Sequence, residues 1–147
     1  MTRIEEAKTL FAQGFACSQA IVGAYAPSLG LDRDTAIKIA SGFGGGMGRL
    51  AETCGAVTGA FMVLGLKFGS ASSDREAKEI VYAKVRDFAE RFKARHGSLV
   101  CRDLLGCDLN TPEGLASAQE TKLFSTVCPP YVETAAEILE EIMRGNP

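Results

Sequence analysis

Residues 73–97 read SDREAKEIVYAKVRDFAERFKARHG, and the reading of this stretch decides the fold class. Ser73 followed at the third position by Glu76 has the form of a capping box, so a helix is expected to start there. Ala77, Val81, Val85, Phe88 and Phe92 recur at spacings of three and four and make one apolar stripe. Asp74 with Lys78, and Asp87 with Arg91, place an acid four residues before a base, the favourable order along a helix. His96-Gly97 closes the pattern, since a cation suits the negative helix end and glycine commonly follows it. His96 is the single histidine of the chain, and this position gives it a structural role.

The same signals recur on both sides. Thr2 with Glu5 forms a capping box for a helix over about residues 3–13, interrupted by Gly14. Ser18 is placed to cap a second helix carrying Ala20, Ile21 and Ala24 as far as Pro27. Asp32 is a good N-cap for a helix through Ile37 and Ala40. Residues 42–48 read GFGGGMG, with five glycines in seven residues. Such a loop permits positive φ and close backbone approach. Thr53 then caps a small-residue helix that runs through Leu66 to Gly69. After the long helix, Ser98 caps a short one closed by Gly106. Thr111-Pro112-Glu113 opens another, because proline fits the first helical position. Cys128-Pro129-Pro130 opens the last, with Val132, Ala135, Ala136, Leu139 and Met143 facing inward. No segment alternates as a strand does, so the expected fold is all-α: one domain over residues 1–147, a bundle of about six or seven helices.

The chain has 147 residues, 46% of them hydrophobic, with 16 basic and 18 acidic side chains. That length buries a core without disulfide staples. The near balance of charge argues against a nucleic-acid partner. The start, Met1-Thr2-Arg3-Ile4-Glu5-Glu6, has no signal-peptide pattern. The apolar run Ala60–Leu66 falls well short of the roughly 18 residues that span a bilayer. A cytoplasmic protein without membrane contact is expected, in a compartment where thiols stay reduced.

Five cysteines carry the chemistry. Cys17, Cys54, Cys101 and Cys128 each fall at an expected helix start, where unpaired backbone N–H groups and the helix dipole favour a thiolate. Cys107 follows Gly106 and has no helix behind it; its case rests on nearness to Cys101. The odd number leaves one thiol over from any purely structural disulfide framework. No C-x-x-C occurs, so neither the thioredoxin-type motif nor zinc-knuckle spacing is present, and ferredoxin spacing is absent too. The glycine-rich loop lacks the Lys and Ser/Thr of a P-loop and follows a helix, which argues against nucleotide binding by that route. It is either a tight connection or a direct ligand contact. Arg49 stands where it can neutralise an anion beside Cys54, or be solvated. Glu52 stands where it can take a proton from a thiol, or simply favour a helix start. Glu137, Glu140 and Glu141 read as a solvated face.

At Cys17, at Ser41–Gly48, at Cys54-Gly55-Ala56-Val57-Thr58-Gly59, at Cys101–Cys107 and at Cys128, the chain resembles the C_GCAxxG_C_C family of redox-active proteins. The likeness covers nearly the whole chain. It implies a small helical protein with thiol redox or metal-associated chemistry. The family name puts glycine before cysteine, whereas Cys54 precedes Gly55 here; Ala56 and Gly59 keep their spacing.

Three readings follow. The first is a thiol redox protein, an oxidoreductase in the catalytic case, in which Cys17, Cys54, Cys101 and Cys128, with Cys107, share one site for reversible disulfide chemistry. Cys54 is then the expected reactive thiol, and the small residues Gly55, Ala56 and Gly59 leave room for a cofactor or ligand. The second is a protein that holds a metal ion or iron–sulfur cluster on Cys17, Cys54, Cys101 and Cys128. The third is a helical interaction module in which the cysteines only pack. The redox partner or small-molecule ligand is not specified by the residues.

Overall fold

A computed structural model of the protein describes residues 1–145. Among them stand eight α-helices of five residues or more: α1 (Arg3–Ala12), α2 (Cys17–Tyr25), α3 (Arg33–Ala40), α4 (Gly55–Phe68), α5 (Arg75–His96), α6 (Cys101–Leu105), α7 (Pro112–Glu120) and α8 (Cys128–Met143). No strand forms among the described residues; the one extended pairing is an isolated antiparallel bridge between Thr53 and Val100. The fold is all-α, with one helix more than the count expected.

Several caps stand where the residues put them. Thr2 and Glu5 complete a capping box on α1, Asp32 accepts from the Thr35 N–H, and Thr111 with Pro112 opens α7. Four do not, and tertiary contacts explain two of them. Ser18 is fully buried and its hydroxyl donates to the Ala40 carbonyl at 2.8 Å, so α2 starts instead at Ala16, whose N–H donates to the Gln19 side chain. Thr53 is extended in its bridge with Val100, and Cys54 becomes the N-cap of α4. On α5 the cap is Asp74, one residue later than Ser73, accepting from the Ala77 N–H. Ser98 lies just before the start of α6, accepting from the Val100 N–H and donating to Asp103, while Val100 is the cap.

The core is built on α2 and α4. Of α2, Ser18 and every residue from Ala20 to Tyr25 are buried, and α4 buries Gly55 to Ala60. A Cβ on Gly59 would lie 3.0 Å from the Ser18 carbonyl oxygen, so the two helices cross at backbone distance. The buried Tyr25 reaches from α2 to α8, its hydroxyl donating to the Ala136 carbonyl at 3.1 Å. On α5 only Phe88 and Phe92 are fully buried; the stripe is half-buried upstream, at Val85, Val81 and Ala77. The acidic face of α8 is less solvated than expected, because Glu137 and Glu141 meet Arg95 of α5 and Glu140 meets Arg3 of α1.

The glycine-rich segment winds left-handed. Gly45, Gly46, Met47, Gly48 and Arg49 have φ of 68°, 71°, 67°, 62° and 67° in succession, and Ala51 follows at 60°. Gly46 is buried beneath this turn, and a Cβ there would lie 2.7 Å from the Cys101 Cβ and 2.8 Å from the Glu52 nitrogen. Replacement of Gly46 by Ala therefore combines a left-handed backbone cost of ~1–2 kcal/mol with an overpacking cost of ~1–3 kcal/mol. Gly106 has φ +72° and nothing within 4 Å, so Gly106→Ala carries the backbone cost alone. Urea denaturation is expected to show Gly46→Ala destabilised by about 3 kcal/mol and Gly106→Ala by about 1 kcal/mol; equal losses would mean that the space under Gly46 is not restrictive.

Candidate thiol site

Cys17, Cys101 and Cys128 are the first residues of α2, α6 and α8, and Cys54 is the N-cap of α4. Backbone pairing sets two of them side by side. The Cys54 N–H donates to the Leu99 carbonyl at 2.8 Å, and the Cys101 N–H donates to the Glu52 carbonyl, one on each side of the Thr53–Val100 bridge. Gly55 brings in the third, since a Cβ on it would lie 3.3 Å from the Cys17 Cβ and 3.2 Å from the Ser18 nitrogen. The start of α8 supplies the fourth.

All four cysteines line one cavity of about 40 Å³, closed by Leu104, Leu109, Phe124 and Tyr131 and by the glycines at 45, 46 and 55. At ~10–15 Å³ per water position this holds a few waters. It is too small for an organic substrate. All five cysteines are free thiols. Cys107 is half-buried beside Ala51, Cys101, Leu109 and Ala118 and does not line the cavity. Among the described residues no group of three or more His, Cys, Asp or Glu side chains is disposed to hold a metal ion.

The thiols differ in acidity. Burial pushes Cys54 up to about 11 from an ordinary value of 9.0, against the pull of the Ala56 and Val57 N–H groups. Burial and the neighbouring sulfurs push Cys101 up to about 12. The expectation of Cys54 as the readily ionised thiol is thus reversed, because a thiolate stripped of water loses more than a helix start returns. Cys17 and Cys128 interact through their side chains. The Cys17 thiol, held as the proton donor, is raised first by this hydrogen bond and then by burial. Cys128, the acceptor, is lowered by the same bond, with burial opposing.

Other candidates take structural places. Glu52 is exposed and pairs with Arg102 at 3.3 Å. Gly59 serves the α2–α4 crossing, Ala56 is fully buried, and of the proposed cofactor residues only Gly55 lines the cavity. His96 packs on Phe92 and edge-on to Tyr131, 4.8 Å between ring centres, with Nε2 2.8 Å from the Thr134 hydroxyl. Tyr131 lines the cavity as well, a place the cysteine pattern alone does not indicate. It follows Cys128 by three residues on one helix face, which was the available signal, and its hydroxyl donates to the Leu104 carbonyl at 2.7 Å.

The family described as "Putative redox-active protein (C_GCAxxG_C_C)" matches residues 15–142. The chain belongs to the C_GCAxxG_C_C family. No curated protein and no solved structure matches it. In this C_GCAxxG_C_C protein the matched stretch contains all five cysteines and every residue that lines the small cavity.

A second, wider cleft of about 1340 Å³ adjoins the thiols. Cys17 is the one cysteine on its wall, so Cys17 borders both spaces.

Two outcomes follow for this C_GCAxxG_C_C protein. Iodoacetamide at neutral pH is expected to label Cys17 and Cys107 before Cys54 and Cys101 in the reduced protein, as followed by peptide mass mapping; first labelling at Cys54 would contradict the burial argument. Because folding raises the Cys54 and Cys101 values above the ordinary 9.0, the unfolded chain binds fewer protons between about 9 and 11–12, and stability must fall with rising pH across that window. The urea midpoint should drop there, and more gently in Cys54→Ala.

Proposed function

We propose that this protein carries out reversible thiol–disulfide exchange, with Cys17 and Cys128 as the exchanging pair. The observation that carries the reading is the placement of Cys17 and Cys128 on one small cavity, at the starts of helices of nine and sixteen residues, with Cys17 also on the wall of the wide cleft. A helix N-terminus favours the thiolate, and a neighbouring S–H that donates to it favours it further.

The pair loses its first proton readily and holds the second between the sulfurs. Shift of the shared proton from Cys17 to Cys128 places the negative charge on Cys17, the sulfur an outside reagent meets. The Cys17 thiolate attacks one sulfur of an external disulfide, R–S–S–R. Its S–S bond breaks, the first leaving thiolate takes a proton from solvent, and a Cys17–S–S–R mixed disulfide remains. Cys128 then releases its proton, its thiolate attacks the Cys17 sulfur, and the second R–S⁻ leaves and is protonated. Two protein thiols become one disulfide, R–S–S–R becomes two R–SH, and two electrons pass outward. The reverse sequence reduces the protein. Cys54 and Cys101, held protonated by burial, line the cavity as neutral thiols throughout.

Stoichiometric oxidation of the reduced protein by a small disulfide is expected to lower the thiol count from five to three and to give a Cys17–Cys128 peptide link. Cys17→Ser and Cys128→Ser should each abolish that link, and Cys54→Ala should leave it. The rate of the wild-type reaction should rise with pH through a midpoint below 9.0, moving upward in Cys128→Ser. A different internal link, or metal and sulfide bound stoichiometrically after anaerobic purification, would overturn the assignment in favour of other pairing or of a metal centre.

A further inference from the structure

The small cavity admits only water, so the identity of the external disulfide is decided in the wide cleft, where three kinds of observation agree. The first is size: about 1340 Å³ exceeds the ~300–1,000 Å³ of a drug-sized ligand site. The second is the wall. Phe11, Phe15, Phe124, Leu109, Pro129 and Val132 give it an apolar body, and Cys17 lies among them. The third is charge. Lys8, Arg49 and Lys122 line the cleft, and among the described residues no aspartate or glutamate does. These cations come from α1, from the left-handed turn and from the residue before Leu123, segments distant in the chain.

Two of the three are set by unusual backbone. The non-glycine residues of positive φ are Met47, Arg49, Ala51 and Lys122, and Arg49 and Lys122 hold φ of 67° and 57°. A side chain in that region carries a cost of ~1–3 kcal/mol that surrounding structure must offset, and such positions gather at ligand clamps. Arg49 also folds back over the turn, since a Cβ on Gly45 would lie 2.9 Å from its Cγ. Lys8 is engaged by Glu133 at 3.3 Å, which leaves Arg49 and Lys122 as the pair to vary.

We infer that the wide cleft binds a small organic anion with an apolar or aromatic body, and that the exchanging substrate is a disulfide of this class, its anionic end held by Arg49 and Lys122 with Lys8 and its sulfur at Cys17. The inference rests on the thiol-exchange reading for its chemistry and on the cleft alone for its binding, so the two are tested apart. Binding is read on the reduced full chain with naphthalene-2-sulfonate, which has no disulfide to exchange, against the neutral naphthalene-2-methanol, by titration calorimetry at low salt. The sulfonate is expected to bind at least tenfold tighter, to weaken with added salt, and to lose at least tenfold in Arg49→Glu/Lys122→Glu. A smaller loss is expected in Arg49→Gln/Lys122→Gln, and none in Lys93→Glu, which lies outside the cleft. Exchange is read as the rate with 5,5′-dithiobis(2-nitrobenzoate), aromatic and anionic, against 4,4′-dithiodipyridine, aromatic and neutral, each relative to a free thiol. Charge reversal should slow the first at least tenfold and spare the second. Equal binding of sulfonate and alcohol, or binding untouched by both double variants, overturns the cleft assignment even where exchange proceeds. Sulfonate binding that follows the charges, with no exchange at Cys17, keeps the anion site and removes the exchange reading.

Discussion

α2 and α4 meet with no side chain between them at Gly55 and Gly59, where an added Cβ would come within 3.0–3.3 Å of Ser18, Ile21 or Cys17. This close crossing fixes more than the core. Cys17 is the first residue of α2 and Cys54 the cap of α4, so the distance between the helices is also the distance between the starts that carry the thiols. Ser18 holds the register from the other side through its bond to the Ala40 carbonyl. A residue larger than glycine at position 55 would move a helix that is buried along most of its length, and the thiol at its head with it.

Four helix starts pointing at one place raise a conflict between two effects, and magnitude decides it. A helix terminus favours a nearby charge by ~0.3–1 kcal/mol. The rise of Cys54 from 9.0 to about 11 corresponds to about 3 kcal/mol against the thiolate. Burial wins wherever nothing else helps, as at Cys54 and Cys101. It loses at Cys128, where the Cys17 thiol supplies a hydrogen bond. Helix starts alone therefore do not set the acidity of these thiols; pairing with Cys17 separates Cys128, which is lowered, from Cys54 and Cys101, which are raised.

The sequence carried what is local. Thr2 with Glu5, Asp32, and Thr111 with Pro112 act within one turn, and each caps where its spacing says. The cysteines stood at helix starts for the same reason. Ser18 and Thr53 misled because their partners, Ala40 and Val100, lie 22 and 47 residues away, and a distant contact outweighs a local preference. The stripe on α5 was legible, but not that Phe88 and Phe92 alone would be fully buried. Tyr131 could have been found from its spacing to Cys128. Lys8 and Lys122 could not, because nothing local links them to each other or to Arg49; only the fold brings them to one wall.

The left-handed turn joins the two spaces. Gly45 lines both of them, Gly46 packs against Cys101, and Arg49 lines the outer one. A run of positive φ across five residues is difficult for side chains but natural for glycine, which accounts for the concentration of glycine here without any phosphate-binding role. The two non-glycine residues inside the run, Met47 and Arg49, share the left-handed backbone of a turn in which Gly46 passes close to Cys101 and Arg49 reaches the wall of the cleft. The piece of chain that lines the small thiol cavity thus also supplies one of the three cations of the cleft, so the two spaces share a wall built from one short segment.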